Sequence, residues 1–117
     1  MINIEEFSKI ELRIAKVLEA ERVEGSEKLI KMKLDVGDPS TDSTSSGQAN
    51  PRQVLAGIGK TYSPESLIGK QIVIVANLEP RMLMGLESRG MIVAGSDGEG
   101  IAIVSPDREL PPGTLLK

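Results

Sequence analysis

The sequence contains neither cysteine nor histidine among its 117 residues. The lack of cysteine excludes a disulfide framework and a thiolate metal site, and it makes a reducing cytoplasm the expected location. Histidine is the side chain that most readily shuttles protons near neutral pH and most often binds transition metals. The chain also offers no positioned base, activated nucleophile or phosphate-cradling glycine motif. We therefore predict a protein that is not an enzyme and that uses no metal and no cofactor.

Aromatic side chains are nearly absent as well, since Phe7 and Tyr62 are the only two. The chain therefore cannot build a row of stacking platforms for single-stranded bases. The formal net charge of −3 argues against indiscriminate binding of nucleic acids but says little about local patches. Residues 28–60 carry five basic and three acidic side chains, a local excess of two positive charges. The middle of the chain is thus basic relative to its flanks.

Long apolar runs are missing too. None approaches the length that spans a membrane, and the N-terminal residues "MINIEEFSK" have no signal-peptide character. We expect a soluble, cytoplasmic protein without a membrane partner. The length predicts a single domain over residues 1–117, with a modest core that needs no metal or disulfide.

The first strand is predicted by "KIELRIAKVLEA", whose apolar residues alternate at Ile10, Leu12 and Ile14. The phase then slips, because Ala15 and Val17 become the apolar positions. A single long strand with a bulge, curling between two parts of a sheet, explains the slip.

Further strands and one helix follow along the chain. The segments "LIKMKLDVG", "RQVLAGIG" and "QIVIVA" predict strands two to four, and "MIVAG" and "IAIV" predict later ones. "YSPESLIGK" predicts a short helix that Ser63 caps, with Pro64 at its first position and Gly69 just past its end. Residues 38–51, "DPSTDSTSSGQANP", have no apolar periodicity and are interpreted as a flexible insertion.

This order of elements predicts an all-β fold. Short strands avoid exposed edges by closing into a small barrel. Three strands, a short helix and further strands correspond to the OB-fold, a five-stranded barrel with a helix between strands 3 and 4, here followed by a C-terminal extension. That fold binds ligands on strands 2 and 3 and in its 1–2 and 4–5 loops. Residues 77–91, "NLEPRMLMGLESRGM", fall on the 4–5 loop, so position alone predicts a binding loop.

Several of these segments together resemble the tRNA-binding domain family. They are "FSKIELRIAKVLEAERVEGSEKLIKMKLDVG", "RQVLAGIGKTY" and "LIGKQIVIVANLEPRMLMGLESRGMIVA", with "MGLESRGM" in the most specific cluster. The family includes the C-terminal domain of bacterial methionyl-tRNA synthetases, stand-alone dimeric tRNA-binding proteins and an export-related chaperone branch. The tail "SPDRELPPGT" is similar to the synthetase branch.

The resemblance implies an OB-fold that binds tRNA by shape, with limited sequence selectivity, and that assists methionyl-tRNA synthetase or is part of it. It also implies a homodimer, which the C-terminal extension over about 95–117 helps to form. The insertion at 38–51 and the acidic net charge depart from a typical member.

Nine residues are the candidate tRNA contacts, chosen from the basic strand face, the predicted binding loop and the family motif: Lys28, Lys31, Lys33, Arg52, Asn77, Arg81, Met84, Ser88 and Arg89. Arginine offers a planar fork to phosphate oxygens, and lysine offers a point charge. Phosphate contacts of this kind position a nucleic acid without reading its sequence.

Each group of candidates has a plainer interpretation. The lysines could form a solvated barrel face, and Arg81 and Arg89 could merely pair with Glu79 and Glu87. Asn77 and Ser88 could be turn residues. The apolar residues at 82–84 could plug the barrel mouth or join two subunits.

Two alternative functions also remain open. One is a peptide-binding, export chaperone-like module of the same fold, and the other is a dimerisation appendage without RNA affinity.

Overall fold

The computed structural model describes residues 1–37 and 51–117. The predicted insertion at 38–51 lies outside the described residues, except for Pro51. No helix in either described range is long and apolar enough to cross a membrane. The described elements, in chain order, are α1 (Ile4–Phe7), β1 (Leu12–Arg22), β2 (Ile30–Asp35), β3 (Arg52–Ala56), α2 (Pro64–Leu67), β4 (Gln71–Val75), β5 (Arg81–Leu83), β6 (Leu86–Ser88), β7 (Met91–Ile92), β8 (Ala94–Ser96) and β9 (Ile101–Ile103).

Strand β1 is the long bulged strand that the phase slip predicts. Its first part, Leu12–Lys16, pairs antiparallel with β4, and its second part, Lys16–Arg22, pairs antiparallel with β2. The register shifts between Val17 and Glu19, so one extra residue on β1 has no partner on β2. The bulge bends the strand and lets it belong to both parts of the sheet, which confirms the prediction.

The five main strands form a nearly closed antiparallel barrel. Their order is β3-β2-β1-β4-β7, and the two ends of the sheet approach each other where β3 meets the β6–β7 segment. There the Arg89 backbone N–H donates to the Gln53 carbonyl at 2.8 Å. The predicted all-β OB-fold barrel is confirmed.

Aliphatic side chains from the alternating strands fill the barrel. Ile30, Met32 and Leu34 on β2 are fully buried, as their spacing predicts. Leu67 of α2 is fully buried too and joins the same core. Helix α2 thus lies between β3 and β4 in the chain and contributes to the core.

The predicted cap of α2 is wrong in one detail. Ser63 occupies the position before the helix, but its hydroxyl makes no cap hydrogen bond. Instead the Ser66 hydroxyl donates to the Ser63 carbonyl at 2.7 Å. Pro64 begins the helix without a side-chain cap, because its ring already sets a helical φ. Gly69, with φ of +89°, follows the helix end as predicted.

The C-terminal segment packs on its own barrel. It runs beside the first part of β1, where Ile14 exchanges backbone hydrogen bonds of 2.9 and 2.7 Å with Thr114 and Gly113. Farther along, the Gln71 side-chain amide bonds both the N–H and the carbonyl of Leu110. This extension therefore completes the fold of the single chain, and its part in a dimer stays a prediction.

Candidate functional site

Residues 81–88 form a β-hairpin rather than an irregular connection. Arg81 faces Ser88 and Leu83 faces Leu86 across β5 and β6. The two turn residues, Met84 and Gly85, both have positive φ, +49° and +78°. That combination is typical of a type I′ turn, whose twist matches that of the two strands. Pairing of the backbone makes the segment a rigid support for exposed side chains.

The base of the hairpin is fastened to β3 by the Ser88 hydroxyl. This oxygen accepts from the Leu55 backbone N–H at 3.0 Å and donates to the Gly90 carbonyl at 3.2 Å. Ser88 is 3 % exposed and is the buried polar residue of the described core. Its hydroxyl therefore lies inside the junction, where it takes the place of the backbone carbonyl that a neighbouring strand would offer to the Leu55 N–H of β3.

Arg52 and Gln53 reinforce the same junction from β3. The Arg52 guanidinium donates to the Ala76 carbonyl at 2.7 Å and to the Arg89 carbonyl at 3.4 Å. The Gln53 amide donates to the Glu87 carbonyl at 2.8 Å. Sequence reasoning did not select Gln53. Its place beside Arg52 at the start of the third strand was a sequence signal that could have identified it. No neighbouring residue, however, indicates which group its side chain bonds.

Asn77 ties the segment before the hairpin to the N-terminal residues. Its side-chain oxygen accepts from the Glu11 N–H at 2.9 Å, and its side-chain nitrogen donates to the Lys9 carbonyl at 2.6 Å. Both functions of the amide are thus used within the chain. Asn77 fixes where the hairpin leaves the barrel.

The tip of the hairpin reaches the turn between β1 and β2. The Met84 Cε atom lies 3.3 Å from the position that a Cβ on Gly25 would occupy. Gly25 has φ of +86°, so this turn also requires a glycine. The two loops that flank the binding face of an OB-fold therefore touch. Met84 remains 56 % exposed and Met82 65 % exposed.

The lysines of β2 already have partners. Lys31 forms an ion pair with Glu21, and its hydrogen bond and charge hold the pKa of the Glu21 carboxyl below the ordinary value of 4.5. Lys33 donates to the Gln53 side-chain oxygen at 2.9 Å. Both side chains are half-buried, whereas Lys28 is exposed before the strand. An ion pair with a solvent-exposed partner such as Glu21 contributes little stability, so Lys31 readily exchanges this partner for another anion.

Arg81 and Arg89 are exposed and form no ion pair within residues 1–37 and 51–117. The ion pairs of these ranges are Arg13–Glu11 and Lys31–Glu21. The interpretation that Glu79 and Glu87 neutralise the two arginines is therefore wrong. Across the hairpin, Glu87 lies opposite Met82 rather than opposite Arg81.

Five of the nine candidate residues form two groups around the hairpin. Lys33, Arg52 and Arg89 lie close to Gln53, at the junction with β3. Lys28 and Arg81 line a groove of about 450 Å³ between the hairpin, the end of β3 and the β8–β9 pair. We call it the hairpin groove, and its lining includes Lys28, Leu55, Arg81, Leu83, Met91 and Ile101. Sequence reasoning did not select Met91 or Ile101, because their meeting depends on the return of the C-terminal strands.

Comparison with known families gives one match over most of the chain. The model of the putative tRNA binding domain matches residues 12–115. The methionine–tRNA ligase of Caldanaerobacter subterraneus subsp. tengcongensis is 51 % identical over 115 residues. The match covers 98 % of this chain but 16 % of that protein. The chain thus spans a small part of the length of this relative.

Two solved structures share the whole fold. A MetRS-related protein from Pyrococcus horikoshii superposes with a TM-score of 0.85 at 28 % identity, covering 100 % of this chain and 98 % of that one. The chaperone CsaA from Bacillus anthracis superposes with a TM-score of 0.82 at 32 % identity, covering 100 % and 99 % of the two chains.

Proposed function

Since the chain belongs to the tRNA-binding domain family, we propose that its β5–β6 hairpin binds the tRNA backbone with little sequence specificity. The observation that carries this function is the pair of exposed arginines at the base of a fastened hairpin, Arg81 at its first residue and Arg89 directly after its last, neither engaged in an ion pair with a described residue. An arginine held on a rigid support loses less freedom when it binds a phosphate.

The nine candidate residues divide into contacts and positioning residues. Arg81 and Arg89 offer guanidinium forks to phosphate oxygens, and Lys28 and Lys33 add point charges. Lys31 joins them by exchanging Glu21 for a phosphate, and Met84 contacts the ligand from the hairpin tip. Arg52, Asn77 and Ser88 hold the hairpin in place through their bonds to backbone groups.

The partner of this module is the catalytic part of methionyl-tRNA synthetase. The identity with methionine–tRNA ligases supports this assignment. A binding domain that does no chemistry raises the effective concentration of tRNA at the catalytic site of a linked enzyme. A cytoplasmic homodimer, closed with the help of residues 95–117, would present two such surfaces.

Titration of unfractionated tRNA at several salt concentrations tests the function. We expect saturable binding that weakens steeply with salt, with a slope of roughly one unit per phosphate contact. Arg81→Ala should weaken binding about tenfold and reduce the slope by about one. The matched control is Arg108→Ala, since Arg108 is also exposed but lines a different cleft with Lys16 and Lys70. No binding at low salt, or equal effects of the two substitutions, would contradict the proposal.

Peptide binding is the second candidate, favoured by the likeness to the chaperone CsaA and by exposed Met82 and Met84. Methionine adapts to varied apolar partners. Binding of an extended apolar peptide would be nearly insensitive to salt, lost in Met82→Ala and retained in Arg81→Ala. Binding of tRNA should instead weaken with salt, be weakened by Arg81→Ala and be retained in Met82→Ala.

A further inference from the structure

The hairpin groove combines an apolar floor with a basic rim. We propose that it holds one unpaired nucleotide of the bound RNA, with the base on the floor and its phosphate between Lys28 and Arg81. This inference rests on the proposed function and adds which part of the RNA is recognised there.

The floor is made of aliphatic and thioether side chains. Leu55 is 5 % exposed, Leu83, Ile92 and Ile101 are half-buried, and Met91 is 49 % exposed. A volume of about 450 Å³ lies within the range of small-molecule sites, about 300–1,000 Å³. A flat base covers such a floor by dispersion and burial of apolar surface, so the near absence of aromatic residues does not prevent binding of a single base.

The rim carries one sign of charge. Lys28 and Arg81 line the groove, and none of the described residues that line it carries a carboxylate. Within the described ranges neither cation forms an ion pair. The backbone of Lys28 is fixed, because its carbonyl accepts from the Gly59 N–H at 2.7 Å. Two cations beside an apolar floor are complementary to a ligand that joins an anion to an apolar plane, which is the chemistry of a nucleotide.

The base must be unpaired to enter. In a duplex both faces of a base are covered by its neighbours, so only a nucleotide from a loop, bulge or end can lay a face on the groove floor. The groove would therefore distinguish looped RNA from a uniform helix without reading a sequence.

The far wall of the groove is preformed. In β9, the Ile101 and Ile103 N–H groups donate to the Thr61 hydroxyl at 3.2 Å and the Tyr62 hydroxyl at 3.1 Å. Both isoleucines pack against the core, so the β8–β9 pair has a groove face and an outer face. Ala94 lies opposite Ile103 and shares the groove face, whereas Ala102 lies between the isoleucines on the outer face.

This geometry provides a matched pair of substitutions. Ala94→Leu places three extra carbon atoms in the groove, and Ala102→Leu places the same atoms outside it. Both alanines are exposed, so neither change disturbs the core. We expect Ala94→Leu to weaken tRNA binding on the order of tenfold, comparable to the loss of one base contact, while Ala102→Leu binds as the unsubstituted chain does.

Methyl NMR of the unsubstituted full chain supplies an independent measurement. An unstructured six-nucleotide oligoribonucleotide should shift the methyl signals of Leu83, Met91 and Ile101, with Leu115 as the remote reference. A blunt-ended RNA duplex of equal charge should leave those signals in place.

The outcomes separate this inference from the proposed function. If tRNA does not bind the unsubstituted chain at low salt, both fail. If tRNA binds with its salt dependence but Ala94→Leu equals Ala102→Leu, or duplex and single strand shift the groove methyls equally, only the inference is overturned. It is also overturned if an acidic apolar peptide shifts those methyls and the oligoribonucleotide does not.

Discussion

Removal of the Ser88 hydroxyl tests how the hairpin is held. In Ser88→Ala the Leu55 N–H, on a residue only 5 % exposed, loses its 3.0 Å acceptor. A buried donor left unsatisfied costs about 1–3 kcal/mol, so we expect a loss of about 2 kcal/mol in the free energy of unfolding. With an unfolding entropy of about 2.1 cal/mol/K per residue, that loss lowers Tm by about 8 °C.

Urea unfolding of the two proteins measures this loss, and Ser105→Ala is the control because Ser105 is exposed. The control should stay within about 0.5 kcal/mol of the unsubstituted chain. The tRNA affinity of Ser88→Ala should fall while the salt slope is unchanged, because the hairpin loosens but every phosphate contact is still available. A change in stability below about 0.5 kcal/mol would refute the reasoning that this hydroxyl closes the barrel.

Two further predictions concern stability and pH. Gly113 and Gly98 both have φ of +90°, but a Cβ on Gly113 would lie 2.7 Å from the Val36 carbonyl oxygen, whereas one on Gly98 meets nothing within 4 Å. Alanine at either position is strained by about 1–2 kcal/mol, because both positions have left-handed backbone conformations. In urea unfolding, Gly113→Ala should lower the free energy of unfolding by at least about 1 kcal/mol more than Gly98→Ala does. Equal losses in the two variants would contradict the close packing of the C-terminal segment. Hydrogen bonds from the Glu99 and Gly100 N–H groups hold the pKa of Asp97 below its ordinary value of 3.8, so an NMR titration should give a midpoint below that value. The stability that these hydrogen bonds contribute is therefore fully present above the pKa of Asp97 in the unfolded chain, and it is lost as the pH falls through the lower pKa of Asp97 in the folded chain. The Asp97→Asn variant should not show this pH dependence of stability.

The sequence by itself determined strands β1 to β4 and the core that they enclose. Alternation at Ile30, Met32 and Leu34 predicts a half-buried strand, and all three are fully buried. The phase slip after Ile14 marks the bulge of β1. These features are readable because the side-chain period of a strand is local, so a few neighbouring residues specify which face is apolar.

The hairpin at residues 81–88 was harder to predict. Two-residue turns are signalled by Asn-Gly or Asp-Gly, and here the first position is Met84, a residue that rarely adopts positive φ. A methionine at this position predicts an apolar contact and gives no signal of a turn. Its packing over Gly25, more than fifty residues earlier in the chain, compensates for the unusual conformation.

Only the tertiary structure decided which candidate residues are exposed and which are bonded to backbone groups around the hairpin. Ser88 meets Leu55 across 33 positions, Asn77 meets Glu11 across 66, and the hairpin groove joins residues from separate strands. Local pattern predicts that a side chain is polar and points outward. Its partner depends on the register of strands and on where the barrel closes, which are set by long-range pairing that no short stretch of sequence contains.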